Sequence, residues 1–180
     1  AVERAERILA DGLALEADVG ARSLAPAGLV RMAAPMSFGI AHLAPALPDF
    51  FALYPDIQIE LNFSDSQIDL VSDNYDLALR IATLVDSSLI ARRLCEVRIR
   101  LVGSPGYFRQ HGYPQHPRDL GAHAALFYTL GRSRDAWQFF HAEQGDYTVT
   151  VRAPLRVNNA DALMPALHAG LGLALQPEFL

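Results

Sequence analysis

The sequence predicts an α/β fold with a mostly parallel sheet, and three observations carry that expectation. Apolar runs of strand length alternate with stretches of helical periodicity from residue 28 onward. Proline, glycine and small polar residues mark the switches between them. At 180 residues, 51% hydrophobic and 19% charged, the chain holds enough apolar material for one or two compact domains.

Residues 1–19 read as a helix. Ile8, Gly12, Leu15 and Val19 fall on one stripe, Val2, Ala5, Leu9 and Leu13 on the next, and charged residues take the far side. That broad apolar face suits either packing on its own domain or pairing with another helix. Small residues then form a linker up to Gly28. Leu29 to Ala34 is a buried-strand pattern ended by Pro35, which cannot donate to a ladder. Ser37 opens a helix over 37–53, with Ile40, Leu43, Leu47, Phe50 and Phe51 at helical spacing. It stops ahead of Tyr54-Pro55, because the residue before a proline avoids helical backbone. Ile57, Ile59, Leu61 and Phe63 alternate as a second strand, Ser64-Asp65-Ser66 caps a short helix with Ile68, Leu70 and Val71, and Tyr75 to Ile81 is a third strand.

A second unit follows. Leu89 to Leu94 and Val97 to Val102 look like strands, and Gly103-Ser104-Pro105 breaks into a helix with Tyr107 and Phe108. Ala124 to Tyr128 is a strand, and Trp137–Phe140 with Tyr147–Val151 form a pair of sheet segments. Leu155 to Val157 leads to the capping cluster Asn158-Asn159-Ala160-Asp161 and a helix over 161–169. Leu173 to Leu175 is a last strand, and Pro177 to Leu180 looks like the start of a helix.

Composition narrows the function. Fifteen arginines, no lysine and twenty acids give a net charge of −5, so these residues carry no electrostatic footprint for nucleic acid. One cysteine, Cys95, excludes an internal disulfide framework, fits a reducing cytoplasm and reads as a small core residue. No apolar run approaches the roughly 20 residues that cross a bilayer. The chain starts without Met and in mid-helix, as a fragment would.

No catalytic or metal motif emerges. The six histidines lack ligand spacing and read as surface or capping residues, and neither a Gly-x-Ser-x-Gly elbow nor a P-loop is present. No catalytic residue, metal ligand or cofactor is therefore expected. Gly170-Leu171-Gly172 is read as a helix C-cap and not a cofactor loop. Arg80 in an apolar strand is expected to pair with Asp76 or another acid, with contact to an anionic ligand as the lesser alternative. What remains is a set of polar groups at strand-to-helix turns: Ser37, Ser64 with Asp65, and Asn158 with Asn159. Each is also a plain N-cap, but α/β units converge such turns on one side of the sheet, where small ligands are held. Tyr128, at a strand end, is expected to add an aromatic wall and a hydroxyl.

The runs GLVRMAAPMSFGIAHLAPALPDFFALYPDIQIEL, SDSQIDLVSDNYDLALRIATLVDSSLIARRL, VGSPGYFRQHGYPQHPRDL and LRVNNADALMPALHAGLGLALQPEF resemble the effector-binding domain of LysR-type transcriptional regulators. The resemblance covers residues 28–180. It implies two Rossmann-like α/β subdomains joined by hinge strands, similar to type 2 periplasmic-binding proteins. It assigns 1–20 to the end of a linker and dimerisation helix, 21–27 to a linker, 28–99 to subdomain I and 100–180 to subdomain II. The family's return segment to subdomain I is expected beyond the chain's end, and its DNA-binding winged helix-turn-helix before its start.

By the same resemblance, Met36, Ser37, Phe38, Ser64, Asp65, the hinge residue Ile81, Tyr128, Asn158 and Asn159 line a cleft for a small effector, a carboxylate or aromatic metabolite among the candidates. The implied protein is a cytoplasmic bacterial regulator, a homodimer or homotetramer that meets DNA through its missing N-terminal domain and touches no membrane. Two rivals share this architecture. A transport solute-binding protein would need a secretion signal and a monomer. An enzyme would need an acid–base pair in the cleft, for which the residues offer only scattered candidates.

Overall fold

The computed structural model describes residues 26–66, 68–70, 72–82, 89–131, 133, 135–143 and 145–180. The expected helix over 1–20 lies outside them, as does most of the linker. The first unit is built by its apolar runs in the expected order. Strand β1 (Gly28–Ala34) pairs in parallel with β2 (Ile57–Phe63) from Gly28↔Ile57 to Ala34↔Phe63. On its other side β1 pairs in parallel with β3 (Leu77–Ala78), giving the order β2-β1-β3. Along β2 the apolar residues are half-buried and Gln58, Glu60 and Asn62 exposed, the period-2 pattern of a strand with one wet face. Arg31 and Glu60, opposite one another in register, form an exposed ion pair at 3.1 Å.

The crossover between β1 and β2 is helical from Met36–Leu53 (α1). Its geometry changes along its length: an α turn at Met36–Phe38, a π segment at Gly39–Leu43, a 3-10 turn at Ala44–Ala46, then α-helix at Leu47–Leu53. Pro45 and Pro48 lack the N–H groups that a regular ladder would use, which accounts for the irregular middle. By length and composition alone α1 could cross a membrane. In this fold it is the crossover between the parallel strands β1 and β2, with Gly39 set against the Phe63 ring of β2.

The second unit is a sheet of order β4-β9-β5-β8 with a hairpin, β6-β7, beside it. Strand β4 (Ile99–Gly103) runs antiparallel to β9 (Leu173–Pro177); β9 and β8 (Arg152–Val157) flank β5 (Ala124–Tyr128) in parallel. Helix α2 (Pro105–His111) follows β4, with the Ser104 hydroxyl accepting from Tyr107 N–H as its N-cap. Helix α3 (Met164–His168) is entered through a 3-10 turn at Asp161–Leu163. Strand β5 sorts its side chains by face. Ala125 and Phe127 join Tyr107, Leu120, Trp137, Val151 and Leu173 in one core, where Phe127 and Trp137 stack at 6.4 Å. Leu126 turns the other way, under Leu163, Ala166 and Leu167 of the α3 segment. The expected pair of sheet segments is β6 (Ala136–His141) and β7 (Gly145–Thr150), which run antiparallel.

Several expectations are corrected. Leu89 to Leu94 forms no strand and belongs to no sheet among the described residues. The third strand shrinks to Leu77–Ala78. Cys95 is exposed in that sheetless segment and is no core residue. Arg80 does not take Asp76: its guanidinium donates to the Ile68 carbonyl, while Asp76 accepts from Arg31 N–H at 2.8 Å. His123 is 8% exposed, hydrogen-bonded to the Tyr107 hydroxyl at 3.1 Å, and belongs to the interior. His116 does cap, accepting from Arg118 N–H. Residues 178–180 make one turn, closed by Leu180 N–H on the Pro177 carbonyl.

Candidate functional site

A strand that turns into a helix leaves backbone N–H groups without partners, and short polar side chains gather there. Three such turns meet between the two units. The first is the β1–α1 turn, where Pro35 forces extended backbone and Ser37 follows, 6% exposed. The second is the turn after β2, held in place by Ser64 N–H on the Ala34 carbonyl. The third follows β8, where Asn159 accepts from Ala162 N–H at the start of the α3 segment.

Asp65 and Asn159 tie the three turns together. One Asp65 oxygen accepts from Met36 N–H at 2.9 Å, filling the donor that opens α1. The other accepts from Asn159 Nδ2 at 2.9 Å, and the same nitrogen reaches Ser37 Oγ at 3.3 Å. These two contacts join residues 94 and 122 positions apart in the chain and bridge the two units. Tyr128 closes the group from the end of β5. Its hydroxyl is pushed up to about 12, by burial first and by the nearby Asp65 charge second. It therefore stays a protonated donor at neutral pH.

The nine residues expected here divide. Ser37, Asp65 and Asn159 form the hydrogen-bonded cluster just described, with Tyr128 near enough for the Asp65 charge to act on its hydroxyl. Met36 contributes its backbone N–H while its side chain stays 39% exposed. Ser64 turns inward on its own loop, accepting from Ser66 N–H. Phe38 packs edge-on against Phe179, at 5.3 Å, with His42 beside both, a second bridge between the units. Asn158 is exposed, and Ile81 is 38% exposed in the backbone after β3; the structure brings neither into the cluster.

Supporting residues escaped the sequence reading. Thr129 donates from both N–H and Oγ1 to the Val157 carbonyl, locking the end of β5 to the end of β8 and so fixing Tyr128 relative to Asn159. Gln176, 3% exposed on β9, donates to the Ala160 carbonyl at 3.0 Å, while its Oε1 is buried with no partner among the described residues. Carrying the parallel register Ala125↔Leu173 forward places Gln176 level with Tyr128. A polar residue inside the apolar run LALQP was the available signal.

Two cavities lie nearby or apart. One of about 580 Å³, lined by Thr129, Leu130, Asp135 and Arg156, opens just past the end of β5. Another of about 380 Å³, between Ser104–Tyr107 and His168–Gly170, sits at the opposite edge of the sheet, since Gly103 pairs with the first residue of β9. The polar cluster, where charge and burial coincide, is the better candidate site than either. Among the described residues no group of His, Cys, Asp and Glu is placed to hold a metal ion.

Comparison with known proteins gives a consistent result. The LysR substrate binding domain family matches residues 24–180. An uncharacterized HTH-type transcriptional regulator of Haemophilus influenzae is 36% identical over 153 residues, 85% of this chain and 53% of that protein. The structure of CrgA, a LysR-type transcriptional regulator from Neisseria meningitidis, superposes with a TM-score of 0.73 at 31% identity, over 98% of this chain and 60% of that one. Full-length AphB, the Vibrio cholerae virulence activator, gives 0.77 at 28% identity, over 96% and 58%. The chain thus spans about half the length of the curated relatives it matches.

Proposed function

Since the chain belongs to the LysR substrate-binding domain family and has its two-part α/β fold, we propose that it is the sensing module of a bacterial transcriptional regulator, binding a small metabolite between its two units. Residues 28–99 and 100–180 are the two subdomains on this reading, and residues 1–20 the end of a dimerising linker helix. DNA is met through a separate N-terminal domain of the longer protein, which works in the cytoplasm as a dimer or tetramer. A metabolite that prefers one arrangement of the subdomains shifts the population toward it, and the linker helices carry the change. The role is recognition rather than catalysis, in keeping with the relatives' names as regulators.

One observation supports the cleft above all: Asn159 of the second unit is bonded to both Ser37 and Asp65 of the first. Polar contacts of that kind are those a ligand can join or replace. The test is a thermal-shift screen of the protein against small carboxylates, aromatic acids, amino acids and amines, repeated on Ser37→Ala. A ligand at 100 times its Kd stabilises by about 2.7 kcal/mol. The expected result is a hit weakened by Ser37→Ala. No hit, or hits indifferent to Ser37, would sink the cleft.

A further inference from the structure

The chemistry of the cleft points to the kind of group it receives, an inference that rests on the sensing role above. The donor at the start of α1 would otherwise suit a carboxylate, because helix N-termini favour negative charge. Here Met36 N–H is already engaged at 2.9 Å by the protein's own carboxylate, Asp65. An incoming carboxylate would have to displace that contact and then sit beside a like charge. Asp65 has a second oxygen facing the other unit, and the group that occupies it is a nitrogen donor, the carboxamide of Asn159.

A second acceptor stands close by. Gln176 Oε1 is buried with no partner among the described residues, on a side chain anchored to the Ala160 carbonyl directly after Asn159. A buried acceptor without a partner is costly, about 1–3 kcal/mol, and is normally satisfied by something. Among the described residues Arg31 pairs with Glu60, Arg80 donates to the Ile68 carbonyl and Arg156 pairs with Asp135. We propose that the cleft selects an effector by a hydrogen-bond donor, a hydroxyl or an ammonium, seated on Asp65 in the place the Asn159 carboxamide holds, and that it discriminates against acids lacking such a donor. Asp65 is then the specificity-determining residue.

Three probes of one skeleton test this: propionate, lactate and alanine, which differ at carbon 2 in bearing hydrogen, hydroxyl or ammonium. Each is titrated into the protein and into Asp65→Asn, following the Met36 and Ser37 amide signals and the Asn159 side-chain NH₂ by NMR. In the unaltered protein lactate or alanine should bind about tenfold or more tightly than propionate, as a hydrogen bond to a charged acceptor implies. The Asn159 NH₂ signal should move as it is displaced. In Asp65→Asn that preference should vanish and propionate should gain. Preference for lactate alone assigns the hydroxyl, and for alanine alone the ammonium. Equal or tighter binding of propionate to the unaltered protein overturns the proposal, as does a preference that survives Asp65→Asn. Silence of all three probes on both proteins also overturns it, whereas the sensing role fails separately, through the Ser37→Ala screen.

Discussion

Tyr128 and Asp65 show how single side chains set the electrostatics of the cleft. Burial is the larger cause of the raised Tyr128 value and the Asp65 charge the smaller. The folded protein therefore holds the phenolic proton more tightly than the unfolded chain, whose tyrosines titrate near 10. The resulting stability is fully present below about pH 10 and is lost as pH rises through about 12. Replacing Tyr128 with Phe should flatten the fall of stability across that window, measured by urea unfolding at stepped alkaline pH. Asp65→Asn should move the Tyr128 phenolate absorbance transition down while leaving it above the ordinary value. Residue identity at these positions was legible from the strand-to-helix turns. Partnership was not: Asn158 and Asn159 are indistinguishable in sequence, and the backbone at the end of β8 points only the second inward. Arg80 and Asp76 are similar, a plausible pair along a strand that the Arg31 amide separates.

Glycine decides packing at the level of elements. Gly172 enters β9 so close to β5 that an added Cβ would stand 2.5 Å from the Ala124 carbonyl oxygen, a backbone atom that cannot swing aside. Gly172→Ala should cost about 1–3 kcal/mol, as overpacking does. Gly121→Ala, with nothing within 4 Å of the new atom, should stay within about 0.5 kcal/mol. Equal midpoints in urea for the two variants would refute this account of the β5–β9 seam. The seam was half visible beforehand. Gly170 and Gly172 were read as a helix terminus, and Gly170 does take positive φ at 71°. The close approach that Gly172 permits depends on a strand nearly fifty residues earlier, which no local pattern reports. The same limit explains Leu89–Leu94: its apolar residues have strand composition, but strand structure is made by a neighbour.

The interior is distributed unevenly over the whole molecule. Both apolar clusters, from Tyr107 to Ala174, lie in the second unit. The first unit buries Ala33, Ala34, Ser37 and Gly39, while Leu29, Ile40, Leu53 and Leu77 are 42–73% exposed. Amide exchange should follow this division, with β1 and β2 exchanging at least about tenfold faster than β5 and β9 under native conditions. Uniform protection across both sheets would contradict it. The order of elements and the change from one unit to the next were legible from apolar periodicity. Their unequal burial was not, because a strand's hydrophobic pattern records the face it offers and not what comes to cover it.

The bridge of Asn159 to Ser37 and Asp65 thus runs from the better-packed half to the sparser one. Whatever strengthens it lends the order of the firm half to the other, and whatever breaks it leaves the sparser half more open to exchange and proteolysis.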